Sequence, residues 1–139
     1  MNTTELSSSL RSVVSGLHKG LRKRASSVME YSMTEVETIS HLFRSGALLP
    51  TELAALTKVK TQSMSQILKK MEEQGLIKRT PSNEDKRKVF ISLSSYGKKM
   101  VEKVRYEKDE WLKDAIDKQL TDKEKELLTK ALPVLNKLV

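Results

Sequence analysis

The sequence of 139 residues lacks cysteine and contains only two histidines and five glycines. Without cysteine there are no disulfides, thiolate metal ligands, cysteine nucleophiles or thiol-based sensors. A zinc site would need carboxylates, because His18 and His41 are not at the helical spacing of a ligand pair. No glycine-rich phosphate loop or nucleophile–base pattern is evident. We therefore predict no metal site, no required cofactor and no enzyme.

Long apolar runs are also missing. No run approaches the roughly 18 residues of a membrane span, and the N-terminus lacks the apolar segment of a signal peptide, so a cytoplasmic location is expected. Positive charge is in excess, with 26 basic residues against 18 acidic ones and a net charge of +8. Such a chain attracts polyanions, of which nucleic acid and an anionic membrane surface are the obvious candidates.

Apolar residues that recur every three or four positions predict an amphipathic helix over about residues 6–24 and a second that ends at Gly46. Two short helices follow at 52–57, with Thr51 as the expected N-cap, and at 61–74. A tight connection joins these two. The residues expected to face inward from them are Leu53, Ala54, Leu56, Met64, Ile67, Leu68 and Met71.

After Gly75 the spacing of apolar residues changes from the helical period to one that favours strands. Residues 76–79 and the β-branched and aromatic run 89–93 predict a hairpin around a charged loop, 81–88. This loop is longer than a tight turn requires and should project into solvent.

Two further helices are predicted at the C-terminal end. Ser94 is expected to cap a long one, and Thr121 with Glu124 forms a capping box for the last, in which Pro133 should cause a kink or cost a backbone hydrogen bond. The expected inward residues of the long helix are Tyr96, Met100, Val101, Val104, Trp111, Leu112, Ala115 and Ile116. The apolar faces of the first helix and of the last two exceed what the small central module can cover, which favours a dimer.

A helix, a tight turn, a second helix and a hairpin make up the winged helix-turn-helix pattern, in which the second helix enters the DNA major groove. The predicted fold is therefore mainly α with a small β-hairpin wing, in a single domain. Residues of about 33–93 form the DNA-binding module, and about 6–24 and 94–139 form dimerisation helices. The residues predicted to contact DNA are Lys60, Thr61, Gln62, Ser63, Ser65, Gln66, Lys69, Lys70, Lys86, Arg87 and Lys88.

The distribution of charge supports this interpretation. Residues 49–93 contain nine basic and five acidic side chains, and hence half of the excess charge. Amide, hydroxyl and ammonium groups on the second helix suit base edges and phosphates, and the basic residues 86–88 lie where a wing meets the DNA backbone or minor groove. A solvated helix face and a loop made basic for solubility are the plainer alternatives.

These residues resemble the MarR family of transcriptional regulators. The resemblance covers about residues 33–97, and its most specific part is Asp85, Lys86 and Arg87 before a strand that ends in Leu93 and Ser94. It implies a cytoplasmic homodimer, usually a repressor, that binds double-stranded DNA and often a small-molecule ligand. It also implies that Arg87 enters the minor groove and that Asp85 holds the wing by pairing with an arginine. Lys60 and Thr61 depart from the Ser and Pro that often open the recognition helix.

The sequence defines the small-molecule ligand, or effector, less well than it defines the DNA contacts. An aromatic-lined cleft can bind a small organic anion, although core packing, a dimer contact or exposure is the more common role of such residues. The candidates outside the DNA-binding module are His18, Tyr31, His41, Tyr106 and Trp111. Two other functions also stay open at this point: a winged-helix module for protein interaction without specific DNA binding, and a basic membrane-surface module, which the hairpin and helix-turn-helix pattern disfavours.

Overall fold

A computed structural model describes residues 1–24 and 30–139, which divide into two compact units. The winged-helix unit comprises residues 30–105, and the terminal unit comprises residues 1–24 with 106–139. Helix α5 contributes to both. The elements are α1 (Thr3–Arg24), α2 (Met33–Ser45), α3 (Pro50–Thr57), α4 (Thr61–Glu73), β1 (Ile77–Pro81), β2 (Val89–Leu93), α5 (Ser95–Gln119) and α6 (Asp122–Leu135). The predicted class, mainly helical with one small hairpin, is confirmed.

The winged-helix unit has a compact apolar core drawn from α2, α3, α4 and the hairpin. Gly46 and Gly75 end α2 and α4 with φ of +84° and +77°, a conformation that glycine adopts without strain. The buried apolar residues are Ile39, Leu42, Leu53, Ala54, Met64, Leu68, Met71, Leu76, Ile77, Ile91 and Leu93. The helical period therefore identified most of this core.

Helix α3 ends at Thr57 as predicted, but it begins earlier and buries a different residue in its last turn. It begins at Pro50, and the backbone N–H of Leu49 donates to Glu52 Oε1 at 2.9 Å, so Thr51 lies inside the helix and is not its N-cap. Proline is well placed at the first helical position because its missing N–H would have no partner there. Leu56 is half exposed, and Thr57 is buried instead, with its hydroxyl donating to the Leu53 carbonyl at 2.7 Å.

The hairpin is antiparallel and extends further than predicted. Ile77 pairs with Leu93 at one end and Pro81 pairs with Val89 at the other, so the loop shortens to 82–88. Proline is tolerated at this position because it ends the strand. Leu48, ahead of α3, also bridges to Ile91 of β2 and joins the hairpin to the helices.

Ser94 joins the end of α4 to the start of α5. Its hydroxyl accepts the N–H of Gly97 at 3.0 Å, as expected of an N-cap, and also donates to the carbonyl of Gly75. Gly97 is buried here, and a Cβ at this position would overlap the Leu76 carbonyl oxygen. Tyr96, expected to face inward, is 60% exposed because it lies on the outer side of this first turn.

Within the terminal unit, α1 and α6 bury no residue in the described structure. α1 begins earlier than predicted, because Asn2 Oδ1 accepts the Glu5 N–H at 2.8 Å while Glu5 accepts the Asn2 N–H at 3.0 Å. The capping box of Thr121 and Glu124 is confirmed. α6 continues past Pro133 and ends in a 3₁₀ turn, Asn136–Leu138.

Candidate nucleic-acid interface

The N-terminal end of α4 presents polar side chains and unpaired backbone donors. Lys60 has the extended conformation of an N-cap, and its carbonyl accepts the N–H of Met64 at 3.0 Å. Thr61, Gln62 and Ser63 are exposed, and the first turn contains no acidic residue. Because the first N–H groups and the helix dipole favour anions, this end of α4 is suited to a phosphate.

Three of the α4 side chains that point away from the core form a stripe along the helix. Gln62, Gln66 and Lys69 are spaced four and three residues apart, which places them along one side of the helix, and all three are exposed. Two amides and an ammonium group can pair with base edges or phosphates. The Ser65 hydroxyl is also exposed but donates to the carbonyl of Thr61 at 3.0 Å.

Lys70, also predicted to contact DNA, has a partner inside the protein. Its Nζ lies 2.9 Å from Glu35 Oε1 of α2, and the Lys70 side chain is 54% exposed while that of Glu35 is 7% exposed. Sequence reasoning missed Glu35, because an acidic residue three positions after Ser32 indicates a helix cap. Ser32 does accept the Glu35 N–H at 3.2 Å, but the carboxylate turns inward to Lys70.

The turn between α3 and α4 depends on Lys58. This residue has φ of +57° and ψ of +39°, and its N–H donates to the carbonyls that end α3. A left-handed conformation is uncommon for a side chain with a Cβ and costs roughly 1 to 2 kcal/mol. Since Lys58 is exposed, its ammonium group lies beside the helix-turn-helix as a further cation that the sequence prediction did not include.

The loop of the wing, residues 82–88, is closed by its own hydrogen bonds. Ser82 N–H donates to the carbonyl of Lys88 at 2.8 Å, and the Lys88 N–H donates to the carbonyl of Asp85 at 3.0 Å. The Ser82 hydroxyl also accepts the N–H groups of Glu84 and Asp85. Lys86, Arg87 and Lys88 are exposed at the tip of this closed loop.

Asp85 organises the tip through Arg87. Asp85 Oδ1 accepts the backbone N–H of Arg87 at 3.0 Å and its Nε at 3.2 Å, and Oδ2 accepts Nη2 at 3.4 Å. The backbone hydrogen bond, and after it the side-chain hydrogen bonds, lower the pKa of Asp85 from its ordinary value. The Arg87 side chain is 92% exposed despite this pairing, so the guanidinium is held in place and still accessible to a phosphate or a groove.

The five effector candidates are divided between the two units. Tyr31 packs against the core of the winged-helix unit, where its hydroxyl lies 3.7 Å from Met100 Sδ, and burial raises its pKa. His41 Nδ1 lies 3.4 Å from the Arg44 guanidinium. The members in the terminal unit are His18 and Tyr106, both exposed, and Trp111, whose ring contacts Gly20 and lies 5.6 Å from the Arg24 guanidinium.

A cavity of about 210 Å³ lies in the winged-helix unit, but it is lined by other residues: Leu42, Phe43, Gly46, Leu93, Lys98 and Glu102. It is smaller than the roughly 300 Å³ at which ligand pockets begin. Among residues 1–24 and 30–139 there is no group of three His, Cys, Asp or Glu side chains placed to hold a metal ion. The helices described for this chain include none with the length and apolar character to span a membrane.

Comparison with known proteins identifies the chain. The model of the MarR family matches residues 31–89. An HTH-type transcriptional regulator of Mycobacterium bovis is 29% identical over 134 residues, which are 96% of this chain and 92% of that protein. A solved structure from Pseudomonas aeruginosa PA01, described as a transcriptional regulator, has a TM-score of 0.79 at 29% identity, over 97% of this chain and 93% of that one. Residues 31–89 thus form a MarR-family domain, as the sequence resemblance indicated.

With this domain, and with relatives that are named as regulators, the chain is a DNA-binding transcriptional regulator with a winged helix, and it is not an enzyme. Regulators of this family need no cofactor. A mutant of MepR from Staphylococcus aureus, solved bound to an oligodeoxyribonucleotide, has the same fold, with a TM-score of 0.72 at 21% identity, over 96% of this chain and 98% of that one.

Proposed function

We propose that this MarR-family protein is a cytoplasmic repressor that binds a pseudo-palindromic operator as a homodimer and responds to a small organic effector. The observation that carries the DNA-reading part is the surface of the winged-helix unit. The outer stripe of α4 offers Gln62, Gln66 and Lys69, and the wing of the same unit offers Arg87 in a fixed position. The first set suits base edges in the major groove, and the arginine suits the negative potential of a narrow minor groove.

The homodimer rests on the terminal unit. Helices α1 and α6 expose apolar side chains in regular rows that water would disfavour, and a second copy of the same helices is the occupant whose faces match in kind. The exposed members are Leu6, Val13, Val14, Leu17, Leu127, Leu128, Leu132 and Val134, and Leu138 of the following 3₁₀ turn is exposed as well. Two winged helices related by a two-fold axis would read two half-sites about one helical turn apart.

The effector rests on the aromatic and histidine side chains outside the DNA-reading surface. A small aromatic carboxylate would suit a ring of either unit, Tyr31 or Trp111, because each offers stacking area and the chain is basic. Repression follows if the bound dimer blocks the promoter and the ligand favours a state that fits the operator less well. A ligand shifts such an equilibrium only by its difference in affinity for the two states.

Selection of genomic fragments by the purified protein, followed by footprinting, tests this proposal. We expect one enriched sequence with two-fold symmetry, protection of both half-sites, and loss of protection when a suitable ligand from a panel of aromatic carboxylates is added. Affinity should fall steeply with salt, because Lys and Arg displace counterions from phosphates. Equal affinity for the selected and unrelated duplexes would instead favour a module for protein interaction.

A further inference from the structure

Glu35 is a buried carboxylate with one partner. Its residue is 5% exposed, Oε1 accepts Lys70 Nζ at 2.9 Å, and Oε2 is buried without a hydrogen bond in the described structure. Burying a carboxylate is costly unless a cation and hydrogen bonds compensate it. Since Oε2 has no such partner, the compensation comes from Lys70.

The geometry of α4 separates Lys70 from its neighbour Lys69. Successive residues of a helix point about 100° apart, so Lys69 and Lys70 flank the row of Gln62 and Gln66 on opposite sides, and the side of Lys70 is the one that meets α2. The ion pair with Glu35 holds Lys70 in this direction. If Lys70 turned to a DNA phosphate, Glu35 would remain buried and charged without its cation.

We propose that Lys70 is a positioning residue, which fixes recognition helix α4 against α2 through Glu35 and does not bind a phosphate. This revises the sequence prediction that Lys69 and Lys70 both contact DNA, and it rests on the proposed reading of DNA by α4. The angle of α4 decides where Gln62 and Gln66 meet the bases, so the ion pair contributes to affinity for the operator indirectly.

The salt dependence of operator binding distinguishes the two lysines. Each phosphate contact contributes about 0.9 to the slope of log K against log salt concentration. For the full chain on its selected operator, we expect Lys69→Met to reduce the slope by about one contact per half-site. Lys70→Met should leave the slope at the wild-type value while operator affinity falls about tenfold or more at every salt concentration, as for loss of a good base contact.

Removal of both charges provides the second readout. The double variant Glu35→Gln, Lys70→Met has no uncompensated buried charge, so we expect most of the lost affinity to return, whereas Glu35→Gln should not rescue Lys69→Met. If Lys70→Met does not fold alone, the double variant is compared with Glu35→Gln, and equal slopes are expected.

A slope reduced by about one contact whenever Lys70 is replaced, without rescue by Glu35→Gln, would overturn the positioning role and make Lys70 a phosphate contact. A wild-type protein that binds the selected duplex no better than unrelated DNA would instead reject the proposed function, and the role of Lys70 with it. The two failures are distinguished because the first appears only in the variants.

Discussion

The two units of this chain reach stability in different ways. The winged-helix unit buries residues from α2, α3, α4 and both strands in a core of its own, while α1 and α6 of the terminal unit bury none. Their amphipathic patterns are nevertheless similar, with apolar residues every three or four positions. Periodicity therefore shows which face of a helix is apolar, and only the three-dimensional structure shows whether the same chain covers it.

The comparison also separates two tasks. In the proposed function, the residues that read DNA stand on a unit whose packing fixes their directions, and the exposed helices of the terminal unit pair with a second copy and set the spacing. Covering one exposed leucine contributes about 1.5 to 3 kcal/mol. A few leucines on each of α1 and α6 are therefore sufficient to stabilise a dimer.

The largest effect is expected when a charge is placed on the uncovered face. Leu132→Glu on α6 should raise the dimer dissociation constant at least about 100-fold, since two copies each lose a burial worth about 1.5 to 3 kcal/mol. Light scattering across a concentration series measures this. Leu56→Glu on α3 is the matched control, because Leu56 is 49% exposed and Leu132 is 52% exposed. Equal dimer dissociation constants for the two variants would contradict the difference between the two units.

The second prediction compares a glycine from each unit. Gly97→Ala should destabilise the protein by about 3 kcal/mol, because the new Cβ meets the backbone carbonyl of Leu76, which cannot move aside without disturbing the core. Gly16→Ala on α1 meets nothing within 4 Å in the described structure and should stabilise α1 by about 0.5 to 1 kcal/mol. Urea unfolding of both variants measures these changes in stability, and equal midpoints for the two variants would contradict the prediction.

Much of the winged-helix unit could be predicted from the sequence, because its signals are local. Gly46 and Gly75 ended the correct helices, Ser94 capped α5, and the three- and four-residue period found Met64, Leu68 and Met71. Each of these predictions depends on the backbone conformation at one residue or on the burial of one face of a helix.

The features that the sequence did not reveal depend on interactions distant in the chain or on competing local ones. The pair of Glu35 and Lys70 spans 35 residues, and no local pattern distinguishes its lysine from Lys69. Leu56 and Tyr96 fit the apolar period but are 49% and 60% exposed, because tertiary packing decides which part of an apolar face is covered. At the start of α3 the competition is local, since Pro50 takes the first helical position ahead of Thr51.

A third prediction concerns the proposed division between base recognition by the winged-helix unit and half-site spacing by the terminal unit. Gln66→Ala should reduce discrimination at one base pair in each half-site by about 1 to 3 kcal/mol, and the two affected positions should be symmetric because the proposed two-fold dimer presents two copies of α4. Arg87→Ala should weaken binding to many sequences, with preference lost mainly at A·T-rich flanks. Competition against singly substituted operators measures both. Uniform loss for Gln66→Ala would reassign this residue to phosphate positioning.

The smallest effect concerns the pH dependence of the wing. Hydrogen bonds from the Arg87 backbone, and then from its side chain, lower the pKa of Asp85. A carboxyl group whose pKa is lower in the folded state stabilises that state above its ordinary pKa, and the contribution is lost as the pH falls through the lowered value. Because Asp117 and Glu124 of the terminal unit also have lowered pKa values, owing to Lys125 and Thr121, a global unfolding curve would combine the two units.

A measurement at single residues separates them. We expect the amide proton of Arg87, followed by nuclear magnetic resonance, to be protected from exchange at neutral pH and to lose this protection below the ordinary pKa of an aspartate, about 3.9. In Asp85→Asn the side chain does not titrate, so the change should disappear at Arg87, while the amide of Thr121, which donates to the Glu124 carboxylate, still responds to pH. Protection of Arg87 that is the same at low and neutral pH in the wild type would show that its hydrogen bond to Asp85 does not order the wing.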